Sequence, residues 1–136
     1  MAMNLVEALR RVPLLAGIPD REMERLARSM RERSYGEGDT VTAEGQGGAG
    51  FFVILDGNVT VSVGGDVRRT LGAGDHFGEV ALIDEGTRSA TIIAATDLRC
   101  AGIATWDFKA FVEGHPDVSW SLLQTMARRL REAERV

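Results

Sequence analysis

Between residues 33 and 104 the chain changes its hydrophobic rhythm, and that change constrains the fold more than any other feature. Val59, Val61 and Val63 alternate with polar residues, as does Val41 with Ala43, which is the period of a half-buried strand. Phe51-Phe-Val-Ile-Leu55 is apolar throughout and of strand length. Two further strands are predicted near Ala90–Ala95 and Leu98–Ala104. Glycine punctuates the segment. Asp56-Gly57 reads as a hairpin turn, Gly64-Gly65 as the next turn, and Gly45, Gly47, Gly48 and Gly50 as a loop ahead of Phe51. Many short strands with turns at near-regular spacing indicate an antiparallel sandwich or barrel.

Both flanks have helical spacing. Leu5, Leu9 and Val12 share a face, and Pro13 ends that segment. A second helix is predicted from Pro19, with Asp20 and Glu22 near its positive end and Met23, Leu26, Ala27 and Met30 as its apolar stripe. After the strands, Trp106, Phe108, Ala110 and Phe111 mark a short helix that stops near Gly114-His115-Pro116. A longer helix follows over 117–135, with the stripe Trp120, Leu123, Met126/Ala127, Leu130 and Ala133. The reading is α+β: one domain over 1–136, with N-terminal helices at 1–32, a β-barrel at 33–104 and two C-terminal helices at 105–136. No repeat or linker interrupts it.

Composition narrows the function classes. The chain is 44% hydrophobic and 26% charged, a globular balance. No apolar run approaches the roughly 20 residues of a membrane span, and the N-terminus lacks a signal-peptide pattern. Cys100 stands alone in an apolar stretch, which predicts a buried thiol with no disulfide and no cysteine metal site, in a cytoplasmic setting. The net charge of −4 argues against a nucleic-acid partner. Residues 36–87 hold nine acidic residues against only Arg68 and Arg69, so Arg88 stands at the edge of an acidic middle. An anion bound there must be held by short-range donors.

Those donors lie in the run Phe77-Gly-Glu-Val-Ala-Leu-Ile-Asp-Glu-Gly-Thr-Arg-Ser-Ala90. A phosphodiester carries one negative charge. A helix N-terminus offers it free N–H groups, here those of Val80 and Ala81, and a guanidinium, Arg88, can reach two of its oxygens. Ser89 adds a hydroxyl. Glu79 only accepts hydrogen bonds, so it suits a sugar hydroxyl rather than the phosphate. An ordinary Glu79–Arg88 ion pair bracketing a loop is the plainer alternative. Gly78, where backbone must come close, and the small Ser89-Ala90 after the arginine favour the ligand site.

The run resembles the phosphate-binding cassette of the cyclic-nucleotide-binding domain family, in the residues Phe77-Gly-Glu-Val-Ala-Leu82 and Arg88-Ser-Ala90. Leu15-Ala-Gly-Ile-Pro-Asp20, Phe52-Val-Ile-Leu-Asp-Gly57 and Phe108–Arg131 are similar to the family's helical entry, strand and turn, and closing helices. The resemblance implies a jelly roll, or double-stranded β-helix. It implies that Arg88 contacts the cyclic phosphate, that Glu79 and the Gly78 backbone contact the ribose 2′-hydroxyl, and that Ala81 and Ser89 complete the cradle. Val80 and Ala90 belong to the same binding set. It implies cAMP as ligand, with cGMP as the alternative: Ser89 stands where threonine tends toward cGMP and alanine toward cAMP, and bacterial cAMP sensors of the family often carry serine there. Thr87 replaces a frequent proline, and Leu15 a frequent phenylalanine.

His76 and His115 are too few for a cupin-type metal site, and no residue set is spaced for nucleophilic catalysis, so neither metal, cofactor nor enzyme activity is expected. The expected function is a sensor that binds a cyclic nucleotide and moves its last helix, with a hinge near Thr105 or Gly114 and an unidentified effector protein. Two alternatives remain. One is a barrel that has lost its ligand and serves as an interaction module. The other is a fragment of a DNA-binding regulator, whose helix-turn-helix the chain does not show before Val136. The C-terminal stripe also makes a homodimer an open expectation.

Overall fold

The computed structural model describes residues 4–42, 50–78 and 90–134. Helix α1 (Leu5–Arg10) is capped by Asn4, whose side-chain oxygen accepts from the N–H groups of Val6 at 2.9 Å and Glu7 at 3.3 Å. A 3-10 turn, Pro13–Leu15, leads to α2 (Asp20–Ser29). Strands β1 (Arg31–Tyr35), β2 (Thr40–Thr42), β3 (Phe51–Asp56), β4 (Val59–Val63), β5 (Asp66–Leu71), β6 (His76–Phe77), β7 (Thr91–Ala94) and β8 (Leu98–Ile103) follow. Helices α3 (Thr105–Glu113) and α4 (Pro116–Ala133) complete the order.

The strands form two antiparallel four-stranded sheets, β1-β8-β3-β6 and β2-β7-β4-β5. This is the expected α+β jelly-roll arrangement, with helices from both ends of the chain. Two cores result. One lies between the sheets and contains Phe52, Ile54, Val59, Val61, Phe77, Ile92, Ala94, Leu98 and Cys100. The other lies between the first sheet and the helices, where Phe51, Val53, Leu55, Ala101 and Ile103 meet Leu9, Val12, Leu15, Met23, Leu26, Phe108, Phe111 and Val118. Strand β3 is therefore covered on both faces, which is why its five leading residues are all apolar.

Two expectations need correction. The Asp56-Gly57 turn does not close a hairpin, because β3 belongs to one sheet and β4 to the other. Gly57, at φ +95°, instead turns a corner, and the following Asn58 N–H donates to Thr96 Oγ1 at 3.0 Å. The Gly64-Gly65 turn, both residues at positive φ, does join a hairpin, β4 to β5.

The stripe on the last helix is not its packed face. Val118, Leu122 and Thr125 are buried, whereas Trp120, Leu123, Met126 and Leu130 are exposed. The packed side is set by where α4 meets the 3-10 turn: Ser121 Oγ donates to the Gly17 carbonyl at 2.7 Å.

Val41 of β2 packs against the inter-sheet core, as its alternation predicts. A bulge between Thr40 and Thr42 shifts the register, sets Thr42 opposite Ile92, and buries it. Ala43 lies outside the described residues.

Candidate functional site

The two ends of the cassette segment start from opposite sheets. At one end β6 pairs with β3, Phe77 opposite Phe52 and His76 opposite Val53. The Phe52 and Phe77 rings stack with centroids 5.2 Å apart and planes 21° from parallel. Gly78 follows at φ +90°, a conformation that side-chain-bearing residues rarely adopt. At the other end Ala90 packs against the inter-sheet core and Thr91 opens β7 in the second sheet. The described residues on either side of 79–89 thus belong to different sheets. Glu79, Val80, Ala81, Arg88 and Ser89 lie outside the described residues, as does the apolar Ala81-Leu82 turn. Of the expected binding set, Gly78 and Ala90 are placed, and both stand where the segment leaves and rejoins the strands.

The register fixes which end this is. Phe51 pairs with Ile103 near the cassette end, and Asp56 pairs with Arg99 at the far end. The far end carries an open cleft of about 450 Å³ lined by Tyr35, Asp56, Asp97 and Arg99, among others. It is separate from the cassette. At the cassette end the inward residues are Phe52, Phe77 and Ile92, with Ala90 against them. Thr42 sits opposite Ile92 and is 6% exposed. Its hydroxyl has no hydrogen-bond partner among the described residues. Sequence reasoning missed Thr42, and the signal it lacked was the bulge.

Cys100 is buried in the inter-sheet core, as expected. Burial pushes its thiol up to about 11, against the opposing pull of Arg33. Burial also raises Tyr35, in the same neighbourhood. Among the described residues no group of three His, Cys, Asp or Glu is arranged to hold a metal ion, and no helix is long and apolar enough to cross a membrane.

His115 stands between α3 and α4, at the N-cap of α4, the helix-end role expected for it. Its Nε2 lies 3.2 Å from Glu22 Oε2 on α2, its Nδ1 lies 2.7 Å from the Phe111 carbonyl oxygen, and its ring stacks on Phe111 at 4.4 Å. The elbow between the last two helices is thereby tied to the N-terminal helices. Arg128 Nη2 donates to Thr125 Oγ1 at 3.2 Å, which draws the guanidinium back along its own helix.

Two antiparallel sheets packed around an apolar core, with helices over one outer face, define a jelly-roll module. Residues 32–115 match the family described as cyclic nucleotide-binding domain. The chain is 32% identical to the cyclic AMP receptor protein of Thermus thermophilus, over 90% of its own length and 59% of the relative's. It is 33% identical to the cAMP-dependent protein kinase regulatory subunit of Aspergillus niger, over 81% of its length and 27% of the relative's. A crystal structure of the N-terminal domain of a transcriptional regulator from Streptomyces coelicolor superposes with a TM-score of 0.88 at 31% identity, covering 93% of this chain and 94% of that one. The chain belongs to the cyclic nucleotide-binding domain family. It spans less than two thirds of the two relatives named first.

Proposed function

We propose that this chain is a non-catalytic, cytoplasmic sensor of a cyclic nucleotide, cAMP in preference to cGMP, that shifts its last helix on binding. One observation carries the reading: the chain matches the cyclic nucleotide-binding domain over residues 32–115, and the two described ends of its cassette are Gly78 at φ +90° after the first sheet and Ala90 against the inter-sheet core before the second. In this reading Arg88 holds the cyclic phosphate with Ser89 and the N–H groups of Val80 and Ala81. Glu79 and the Gly78 backbone hold the ribose 2′-hydroxyl. The names of the Thermus and Aspergillus relatives, both of which specify cAMP, support that nucleotide. Charge-assisted hydrogen bonds are worth about 1.5–3 kcal/mol each, so two or three made only in the bound state suffice to shift a two-state helix.

The same α4 supports a second component of the reading. Trp120, Leu123 and Leu130 are each about 60% exposed, spaced three and seven residues apart, and not needed for packing on the barrel. That spacing suits a seam against a second copy of the same helix. The signal would then pass through a homodimer to an effector protein. Nucleic acid contact by these residues has no support in the charge distribution.

The test is calorimetric titration of nucleotide-free protein with cAMP and with cGMP, repeated on Arg88→Ala. Saturable binding that disappears in the variant establishes the sensor. Folded, nucleotide-free protein that binds neither ligand moves the reading to an interaction module built on the free face of α4.

A further inference from the structure

The described part of the chain buries two polar side chains, Thr42 and Thr125. Thr125 lies on α4, and its hydroxyl accepts from Arg128. Thr42 is the other. It stands opposite Ile92, whose side chain lies in the inter-sheet core, and cross-strand partners face the same side of a sheet. Its hydroxyl therefore points between the sheets, at the end of the barrel where Ala90 receives the cassette. It has no partner among the described residues, and a buried hydroxyl left unpaired is costly. A bulge in β2 sets this residue opposite Ile92, so the backbone departs from regular pairing where a polar group meets the apolar inter-sheet core.

We propose that the Thr42 hydroxyl reads the polar edge of the purine of a bound cyclic nucleotide. The inference rests on the sensor reading above and adds to it a contact with the base. Phosphate and ribose already have partners in the cassette residues. A purine seated at that end of the barrel would meet the apolar inter-sheet core at Phe52, Phe77 and Ile92. Its ring nitrogens and exocyclic group need a donor or acceptor there, and a threonine hydroxyl is both. Among the described inward-facing residues at that end, Thr42 is the one able to supply it.

The experiment compares wild-type protein with Thr42→Val and Thr42→Ser, each titrated with cAMP and with cGMP and followed through thermal unfolding. Valine keeps the shape and removes the hydroxyl. The expected result is a thermal midpoint at or above wild type for Thr42→Val, with a loss of about fivefold or more in affinity for at least one of the two nucleotides. Thr42→Ser keeps wild-type affinity within about twofold, because it keeps the hydroxyl. Wild-type affinity in Thr42→Val for both nucleotides overturns the proposal, as does an equal loss in Thr42→Ser. Should Thr42→Val fail to fold, Thr42→Ala is judged by the same affinity criterion. A wild-type protein that binds neither nucleotide defeats the sensor reading itself, an outcome distinct from a binding protein indifferent to Thr42.

Discussion

Phe52 occupies the space that a side chain at Gly102 would need: a Cβ built at 102 falls 2.6 Å from the Phe52 ring. The two residues face each other across β3 and β8, and on its other side Phe52 stacks on Phe77, the last residue before Gly78. The absent side chain on β8 thus sets where the cassette leaves the sheet. We predict that Gly102→Ala destabilises the fold by about 1–3 kcal/mol through overpacking. Adding Phe52→Leu should recover part of that loss, because the two sites share one space. Denaturant unfolding of both single variants and the double variant checks this, and strictly additive losses would contradict it.

A pH dependence follows from Cys100. The core favours the neutral thiol, so the folded state holds the proton more tightly than the unfolded chain. The resulting stabilisation is complete below the ordinary thiol value of 9.0 and is lost as pH rises toward about 11. Tyr35, also raised by burial, acts in the same direction at higher pH. Thermal midpoints measured from pH 7 to 11 should fall over the alkaline range. The fall should be shallower in Cys100→Ala, and identical slopes would refute the link.

The free face of α4 yields a prediction about assembly. Leu123→Glu combined with Leu130→Glu should lower the mass seen by sedimentation while leaving the unfolding free energy of dilute protein within about 1 kcal/mol of wild type, since surface changes of this kind cost the monomer little. A large drop in monomer stability would mean that the stripe packs on its own domain after all.

Within the cassette, Arg88→Lys should bind cyclic nucleotide almost as poorly as Arg88→Ala, because an ammonium cannot reproduce a two-pronged contact with phosphate. Glu79→Ala should lose less, since no buried charge is left unpaired. Competition binding against a fluorescent cyclic nucleotide ranks the three, and a Lys variant near wild type would remove Arg88 from its assigned role.

What the sequence made legible follows the strength of its local signals. Phe51–Leu55, the Gly64-Gly65 turn and the Pro19 helix start are announced by composition alone, and all appear where expected. Strands β1 and β5 were not singled out, because Arg31-Glu-Arg-Ser-Tyr35 and Asp66-Val-Arg-Arg-Thr-Leu71 are sheet edges with mostly exposed side chains and little alternation to read. Charged edges of this kind also deter pairing with other chains. The misassigned Asp56-Gly57 hairpin has the same root: turn chemistry reports a reversal of the chain, not which sheet receives it. The face of α4 was misjudged because both of its sides carry large apolar residues, and only contact with Gly17 and the 3-10 turn decides between them. The candidate site was legible as a motif, Gly78 to Ala90, while Thr42 depended on a bulge that has no sequence signature.

Strand β3 places Phe52 and Ile54 in the inter-sheet core and Phe51, Val53 and Leu55 among the helices. Odd and even residues of one short strand therefore live in different compartments, joined by one backbone. Whatever presses on Phe77 at the mouth of the barrel is felt by Phe52, and a tilt of Phe52 is a tilt of its neighbours Phe51 and Val53. The barrel wall is in this sense a seesaw rather than a partition, with its fulcrum in the hydrogen bonds to β8.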